Sequence, residues 1–327
     1  MGILENEIDR LRLRCIACGR CTRVCPSMKH GGCDPMEIMT GIDEGIEFCI
    51  SCGNCSKACR RTDPFTVMRD LICLSKGLHV SDSFRETGYS MPITPMDCPG
   101  PEWEGGDIDV MAGCVVRCKV PFIENAAAQA MKAMGIGAKA LEDNRCCLHP
   151  VQFRDMSERE RMDVKSEIGK SSDGKPIVTL CGGCSEELQA ADIGAEHIIP
   201  FLHRNMDSLP KTDHPLKVAL QPGCSAMPFK KQMDEVVRAM GYEPIGNQMG
   251  CCGKNVSVSK PLMEERMEEC ARADLVVVGC PMCFVKYDSQ PNGKPVVHIA
   301  ELVAMAAGNR DSLEFHKIQV PWPTSLS

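Results

Sequence analysis

The chain has 327 residues, enough for two or three domains with buried cores. Its 43% hydrophobic and 25% charged residues are typical of globular proteins, and its formal net charge of −7 argues against nucleic acid or an anionic membrane surface as a general partner. The longest apolar runs, such as LVVV at 275–278, are too short to span a membrane, and the charged N-terminus lacks the apolar core of a secretory signal. We therefore expect a cytoplasmic protein, attached to a membrane only through a partner if at all.

The 23 cysteines are the unusual feature of the composition. Disulfides would explain them in a secreted protein, but the sequence carries no export signal. In a cytosolic protein, so many cysteines indicate metal binding. The sequence has no glycine-rich nucleotide-binding motif and no P-loop, so a flavin or nicotinamide cofactor would have to be bound by a partner.

Two cysteine runs near the N-terminus have the spacing of ferredoxins. CIACGRCTRVCP reads C-x2-C-x2-C-x3-C-P, and CISCGNCSKAC repeats the four-cysteine spacing. In such proteins three thiolates of a run bind one cluster and the fourth binds the other. This predicts two cubane [4Fe–4S] clusters, one held by Cys15, Cys18, Cys21 and Cys59 and the other by Cys49, Cys52, Cys55 and Cys25. A structural zinc site of C-x2-C pairs is the alternative, and two complete runs argue against it.

The segments after each run indicate helices. DPMEIMTGIDEGIEF begins with an N-capping Asp34 and Pro35 at the first helical position, and PFTVMRDLICLSKG is amphipathic up to Gly77. Residues 1–80 are therefore predicted to form a helical two-cluster ferredoxin-like domain. Residues 81–106 are rich in proline and glycine without an apolar period, which indicates a linker.

Beyond the linker the chain repeats itself. DIDVMAGC matches LKVALQPGC, RCCLH matches GCCGK, and PIVTLCGGC matches LVVVGCPMC. Apolar strands alternate with helices, so residues 107–212 and 213–327 are predicted as two α/β domains with mainly parallel sheets. His197 and His298 occupy equivalent positions, and we expect them to share a structural hydrogen bond rather than a catalytic role.

Each repeat contributes five cysteines that follow predicted strands, where sites form in α/β folds. The first set is Cys114, Cys146, Cys147, Cys181 and Cys184, and the second is Cys224, Cys251, Cys252, Cys280 and Cys283. Five thiolates are one more than a tetrahedral zinc site or a cubane cluster uses. An adjacent Cys-Cys pair could direct two sulfurs at different irons of a larger cluster.

These motifs resemble those of heterodisulfide reductases. The repeated cysteine sets are similar to the cysteine-rich CCG domain of the B-type chain of that family, and CGRCTRVCPS with DPMEIM is similar to the C-type chain. Their fusion in one polypeptide resembles the D-type chain of the two-subunit enzyme. The resemblance implies a helical dicluster domain followed by two duplicated α/β CCG domains. It also implies a noncubane [4Fe–4S] cluster in each complete CCG motif, although zinc could replace one of them.

The implied activity is reduction of the CoM–CoB heterodisulfide by clusters that a partner supplies with electrons. That partner would be a flavoprotein or b-type cytochrome within a larger complex. Four residues beside the CCG cysteines could bind an anionic substrate or could be ordinary surface residues, namely Arg117, Lys119, His149 and Lys254.

Two other functions remain open at this point. The chain also resembles the electron-transfer subunits of flavin-dependent glycerol-3-phosphate, glycolate and lactate dehydrogenases, which do no substrate chemistry themselves. A scaffold that assembles or stores clusters is the third possibility. The other cysteines are predicted to be buried thiols rather than ligands, namely Cys33, Cys73, Cys98, Cys118 and Cys270. Cys118 is the first candidate for an exception, because it lies four residues after Cys114.

Overall fold

The computed structural model describes residues 2–246, 250–253, 258–291 and 293–320. A helical N-terminal part is followed by two α/β units, each with a four-stranded parallel sheet. The predicted α/β class and the order of a helical part before two repeated units are confirmed. Within the described residues, no helix is long and apolar enough to cross a membrane.

The N-terminal part consists of short helices around a small apolar core. They are α1 (Ile3–Arg12), α2 (Arg20–Arg23), α3 (Pro26–Lys29), α4 (Pro35–Met39), a 3-10 turn (Ile46–Phe48), α5 (Asn54–Ala58), α6 (Pro64–Ser75) and α7 (Asp82–Thr87). Asp34 caps α4 and Asp63 caps α6 through side-chain hydrogen bonds to backbone N–H groups. The helix predicted after the first run is shorter than expected, because Gly41 and Gly45 adopt positive φ angles of 102° and 77°.

The segment predicted as a linker is partly ordered by packing. It contains α7, which Ser81 caps. Phe84 on this helix packs edge-to-face against Phe153 with 4.8 Å between the ring centroids. The backbone then runs along the first α/β unit, where the Thr94 N–H donates to the Cys118 carbonyl at 2.8 Å. The segment therefore covers one side of the first unit.

The first α/β unit follows the strand and helix alternation of the sequence. Its elements are β1 (Ile108–Met111), α8 (Cys114–Lys119), α9 (Phe122–Ala133), β2 (Ala138–Ala140), a 3-10 turn (Val151–Asp155), α10 (Glu158–Lys170), β3 (Ile177–Thr179), α11 (Gly182–Gln189), β4 (Ala195–His197), α12 (Ile198–Arg204) and a 3-10 turn (Met206–Ser208).

The second unit repeats this order. Its elements are β5 (Lys217–Gln221), a 3-10 turn (Met227–Phe229), α13 (Lys230–Ala239), β6 (Glu243–Pro244), α14 (Ser259–Glu269), β7 (Leu275–Val278), α15 (Pro281–Tyr287), β8 (Val296–His298), α16 (Ile299–Ala306) and a 3-10 turn (Asp311–Phe315).

The two sheets have the same topology. Their strand orders are β2-β1-β3-β4 and β6-β5-β7-β8, and every pair of neighbours is parallel. In the central pairs, Val110 lies opposite Val178 and Leu220 lies opposite Val277. Because all strands in a sheet point the same way, their carboxyl ends meet along one edge. The loops that carry the cysteines follow these ends.

The two units pack about an approximate twofold axis. Helix α9 of the first unit packs against α16 of the second, and α13 of the second unit packs against α12 of the first. These two contacts are equivalent, because α9 corresponds to α13 and α16 corresponds to α12. A single apolar core includes residues from both sheets. In it, Phe122 meets Phe284 edge-to-face with 5.6 Å between ring centroids. Burial of apolar area between the repeats therefore fixes their relative orientation.

A buried ion pair in this core should contribute to the stability of the fold in a pH-dependent way. His316 Nε2 lies 2.9 Å from Glu301 Oε1, and both side chains are fully buried. Although burial opposes charge on the imidazole, Glu301 raises the pKa of His316. The pair therefore stabilises the fold most below the ordinary pKa of histidine, and the contribution is lost as the pH rises through the raised value.

We expect His316→Gln to lower the free energy of unfolding by about 3 kcal/mol at pH 6, because it leaves the Glu301 carboxylate buried without a cation. The loss should be smaller at pH 8.5, where wild type has itself lost part of the stabilisation. Anaerobic urea unfolding of both proteins at the two pH values measures this. An equal loss at both values would contradict the assignment of the charged pair.

Candidate metal centres

The first three cysteines of the first ferredoxin run and the last cysteine of the second run surround one cavity of about 320 Å³. It is lined by Cys15, Cys18, Cys21 and Cys59, the four cysteines predicted for the first cluster. Gly19 begins α2 with a φ of 70°, which turns the loop sharply between two of these cysteines. The Ala17 N–H points at Cys15 Sγ at 3.4 Å. Four thiols around one cavity are the ligand set of a cubane iron–sulfur cluster.

The other four ferredoxin cysteines surround a narrow cavity of about 20 Å³ with one further cysteine. The lining includes Cys25, Cys49, Cys52 and Cys55, as predicted for the second cluster, and also Cys33. Cys33 is only 2% exposed. The Cys33 thiol and burial together raise the pKa of Cys25. Cys33 is therefore not merely a core thiol, and no cysteine spacing in the sequence indicated this position.

Both CCG sets lie at the carboxyl ends of their sheets. Cys114 begins α8 directly after β1, and Cys181 and Cys280 precede α11 and α15 in equivalent positions. Within each set the thiols lie in a chain of neighbouring side chains. The orders are Cys114, Cys146, Cys147, Cys184, Cys181 in the first and Cys224, Cys251, Cys252, Cys283, Cys280 in the second. For example, Cys283 Sγ donates to Cys252 Sγ at 3.5 Å.

The two thiol chains meet. The Cys181 and Cys280 thiols are neighbours across the boundary between the units, and both line one cavity. This contact lowers the pKa of Cys280 well below its ordinary value. The twofold arrangement of the repeats explains the contact. Cys181 follows β3 and Cys280 follows β7, and these are the equivalent central strands of the two sheets. The two motifs therefore border each other.

One cavity of about 130 Å³, which we call the thiol cavity, reaches both motifs. Its walls include Cys114, Cys147, Cys181, Cys184, Cys224, Cys251, Cys252, Cys280 and Cys283, together with Cys52 of the ferredoxin part. The tenth CCG cysteine, Cys146, is fully buried behind this wall. Among the described residues, no three Cys, His, Asp or Glu side chains converge tightly enough for a single metal ion. The thiols instead surround a shared space.

Two histidines form hydrogen bonds between the two units, beside the cysteine motifs. His197 Nε2 donates to the Gly279 carbonyl at 2.8 Å, immediately before Cys280. His298 Nε2 donates to the Leu180 carbonyl at 3.0 Å, immediately before Cys181. Each histidine thus reaches from its own unit to the backbone beside the cysteine of the other unit. The predicted shared structural role is confirmed.

The other ring nitrogen of each histidine caps a helix and settles the tautomer. His197 Nδ1 accepts from the Ile199 N–H, and His298 Nδ1 accepts from the Ala300 N–H, both at 3.3 Å. Since Nδ1 accepts, the proton lies on Nε2, and the imidazole is neutral. Burial lowers the pKa of His197 to about 4 and also lowers the pKa of His298. These residues therefore position the cysteine loops without carrying charge.

Glycines allow the cysteine loops to pass close to one another. A Cβ on Gly223 would lie 2.7 Å from Cys280 Cβ, and the φ of Gly223 is +91°. We expect Gly223→Ala to displace the Cys280 loop and to reduce the iron bound by the second motif. Gly308→Ala is the matched control, because its φ is +88° but nothing lies within 4 Å of the new Cβ. Equal iron content in the two variants would contradict this close approach.

The second ferredoxin run lies against the second CCG motif. Lys57 Nζ donates to the Cys224 carbonyl at 2.6 Å. Ile50 packs in an apolar cluster with Val258 and Leu262, and Cys251 borders the same cluster. These contacts place the second ferredoxin ligand loop beside the second thiol chain.

The ferredoxin part also contacts the first CCG unit, but through a polar network. Arg69 Nη2 donates to the His149 carbonyl at 2.6 Å, and Arg69 also pairs with Glu187 at 3.4 Å. Lys165 Nζ lies 2.5 Å and His149 Nδ1 3.4 Å from the Glu187 carboxylate. Although burial opposes its ionisation, these groups lower the pKa of Glu187 to about 2. Glu187 thus holds the His149 ring at the edge of the thiol cavity.

The four predicted substrate-binding residues have different surroundings. His149 lines the thiol cavity. Arg117 instead donates to Glu124 at 2.6 Å and lines a separate polar cavity of about 1080 Å³. Lys119 donates to Thr94 Oγ1 at 2.8 Å, and Lys254 lies outside the described residues. Of the three that the structure describes, only His149 stands at the thiol cavity.

Sequence reasoning missed two polar residues of the thiol cavity. Ser225 Oγ donates to Glu186 Oε2 at 2.6 Å, and both side chains line the cavity wall. Ser225 follows Cys224 directly, but a lone serine gave no reason to single it out. Outside the cavity, Cys73, Cys118 and Cys270 are buried and donate to backbone carbonyls, as predicted for core thiols. The same prediction is wrong for Cys98, which is half-buried.

Comparison with known families agrees with this division. Residues 8–60 match the family described as a 4Fe-4S dicluster domain. Residues 108–189 and 218–287 match the cysteine-rich CCG domain. The chain is therefore an iron–sulfur protein in which a dicluster domain precedes two CCG domains.

Two relatives are B subunits of heterodisulfide reductases. The B-type chain of the ferredoxin/F420H2-dependent CoB-CoM heterodisulfide reductase of Methanosarcina acetivorans is 26% identical over 267 residues, covering 62% of this chain and 89% of the relative. The B-type chain of the ferredoxin:CoB-CoM heterodisulfide reductase of Methanosarcina mazei is 25% identical with the same coverage. The protein is thus a distant homologue of these two chains. The closer likeness to a D-type fusion stays a prediction.

A solved structure resembles nearly the whole chain. The crystal structure of a hypothetical protein from Helicobacter pylori aligns with a TM-score of 0.52 over 98% of this chain and 76% of its own length. The two sequences are only 10% identical, so this likeness concerns the fold alone.

Proposed function

We propose that this chain is an iron–sulfur oxidoreductase component that reduces a small disulfide, with the CoM–CoB heterodisulfide as the leading substrate. The observation that carries the proposal is the meeting of two five-thiol chains at Cys181 and Cys280 beside one cavity. A disulfide has two sulfur atoms, and each motif would receive one of them. The two relatives named as components of heterodisulfide reductases support the choice of substrate.

The cofactors in this proposal follow the grouping of the thiols. The eight ferredoxin cysteines would hold two cubane [4Fe–4S] clusters in the crossed arrangement, since the two groups of four line separate cavities. The ten CCG cysteines would hold two noncubane [4Fe–4S] clusters, with zinc in one motif as the alternative. When bound, such clusters supply one-electron transfer at thiolate-ligated iron.

The ligand loops lie in an order that suits transfer of electrons toward the thiol cavity. Helix α2 of the first run packs against α5 of the second run. The second run contacts the second CCG motif through Lys57 and lines the thiol cavity with Cys52. The Cys181–Cys280 contact then leads to the first motif. The two CCG motifs are therefore inequivalent, because the second is the nearer to the ferredoxin part.

The cavity wall offers groups that can orient a thiol substrate. His149, held by Glu187, presents an imidazole from the first unit. Ser225 and Glu186 present a hydroxyl and a carboxylate where the two units meet. Arg117 is paired with Glu124 and Lys119 is bonded to Thr94, so neither is part of the proposed substrate site.

Turnover with a chemical electron donor tests the proposal. The balanced reaction takes one disulfide, two electrons and two protons and yields two thiols. We expect the anaerobically purified protein to oxidise reduced methyl viologen when CoM–CoB disulfide is added, releasing two thiols for every two electrons. Oxidised glutathione should be reduced far more slowly. A fully iron-loaded protein that reduces none of these disulfides would contradict the proposed function.

A further inference from the structure

We propose that the surface over the first ferredoxin ligand cavity binds an acidic one-electron redox protein, which supplies the chain with electrons. We call this the donor surface and define it by Leu13, Ile16, Arg20, Arg60 and Arg61 around Cys18. The inference rests on the proposed function in one respect only, namely that electrons pass from the ferredoxin part toward the thiol cavity.

Exposure identifies this as the point where electrons enter. Of the eight ferredoxin cysteines, Cys18 alone is exposed, and the others are buried or half-buried. The second run is covered by the second CCG unit, as the Lys57 to Cys224 contact and the Ile50 apolar cluster show. A redox protein can therefore approach the first ligand cavity more closely than the second.

The charge around Cys18 is opposite to that of the whole chain. Arg20, Arg60 and Arg61 line the first ligand cavity and are exposed, and no Asp or Glu is among the described residues of its wall. Within the described part of the chain, none of these three arginines forms an ion pair, whereas nearby Arg12 pairs with Asp43. The chain as a whole carries a formal charge of −7. A local positive patch on an acidic protein favours an acidic partner.

Apolar side chains complete a surface suited to a transient complex. Leu13 is 87% exposed and Ile16 is 61% exposed, and Ile16 also lines the ligand cavity beside the arginines. Transient electron-transfer complexes bury small areas, and interfaces combine an apolar centre with a polar rim. Exposed apolar residues ringed by unpaired arginines have this composition. A redox protein is favoured over a membrane surface because the patch is centred on a cysteine of the ligand loop.

Binding and electron transfer to a known acidic probe test the inference. The probe is a two-[4Fe–4S] bacterial-type ferredoxin of strongly negative net charge. Its affinity for the full chain is measured by thermophoresis with the oxidised probe, and its rate of electron donation by stopped-flow absorbance with the reduced probe. The variant is Arg20→Glu/Arg60→Glu/Arg61→Glu. Arg272→Glu is the matched control, because Arg272 is also exposed but precedes β7 at the opposite end of its strand from Cys280.

We expect the triple variant to bind the probe at least about tenfold more weakly and to accept electrons at least about tenfold more slowly at low salt. Arg272→Glu should behave as wild type. The wild-type rate should fall steeply as ionic strength rises, which tests the inference without any substitution. Iron content and photoreduction with deazaflavin verify that clusters remain loaded in the variant.

Three results would overturn the inference. One is probe binding by the triple variant that equals wild type, and another is a wild-type rate that does not fall with salt. The third is sedimentation or vesicle binding showing that the arginines instead join two copies of the chain or hold an anionic membrane. Failure of the proposed function would be separate, because the probe could still bind and reduce a chain that does not turn over disulfides.

Discussion

We expect Cys280→Ser to lower the rate of the proposed disulfide reduction more than about 100-fold, since even the loss of a residue behind a metal ligand costs about 10–100-fold. Cys280 is both a member of the second thiol chain and the residue that meets Cys181 of the first. A serine hydroxyl has nearly the same shape but is a poor substitute for a thiolate. The viologen-coupled disulfide assay and iron analysis measure the effect. Cys181→Ser should have a similar effect, because Cys181 is the residue of the first set that meets Cys280.

Cys270→Ser is the control for these variants. Cys270 is fully buried in the second unit but donates only to the Met267 carbonyl at 3.5 Å and lines no ligand cavity. It should keep most of the wild-type activity and iron. If Cys280→Ser retained half or more of the activity, the joined thiol chains would not be the reaction site.

Replacing His197 or His298 with alanine is expected to lower the free energy of unfolding by about 2–4 kcal/mol, because each change leaves a buried carbonyl and a buried helix N–H without a partner. For His197 these groups are the Gly279 carbonyl and the Ile199 N–H. Iron content should also fall, because the carbonyl stands next to Cys280. Anaerobic urea unfolding and iron analysis of each variant measure both effects.

An asparagine variant separates the two roles of His197. His197→Asn can still cap the helix at Ile199 but is too short to reach Gly279 in the other unit. We therefore expect it to recover about 1 kcal/mol of stability relative to alanine, but not the lost iron. If His197→Ala changed neither stability nor iron content, the bond between the units would have no effect on the site.

The spacing of cysteines and the repeated sequence pattern were enough to predict those features that depend on residues close together in sequence or on the similarity of the two repeats. The ferredoxin runs predicted which cysteines line each of two cavities, because each run contributes three closely spaced cysteines to one cavity and its fourth to the other. The repeated strand and helix pattern predicted two parallel sheets, and alignment of the repeats predicted a common role for His197 and His298.

Contacts between distant parts of the chain were not predictable in this way. The meeting of Cys181 with Cys280 requires the packing of α9 on α16 and of α12 on α13, and apolar residues in those helices specify burial but not a partner. Arg117 was a candidate for either substrate binding or the ordinary surface, yet it pairs with Glu124 one helix further on. Cys33 lies outside both cysteine runs and reaches the second ligand cavity only because the loop folds back.

The central claim is that the two CCG motifs form one disulfide-reducing site, and EPR of the oxidised, anaerobically purified protein with iron analysis tests it most directly. We predict iron for four clusters, about 16 atoms per chain, and a paramagnetic signal that appears only when coenzyme M or another substrate thiol is added. The signal should be absent from Cys280→Ser. A chain that holds only the two ferredoxin clusters, with no thiol-dependent signal, would contradict the claim.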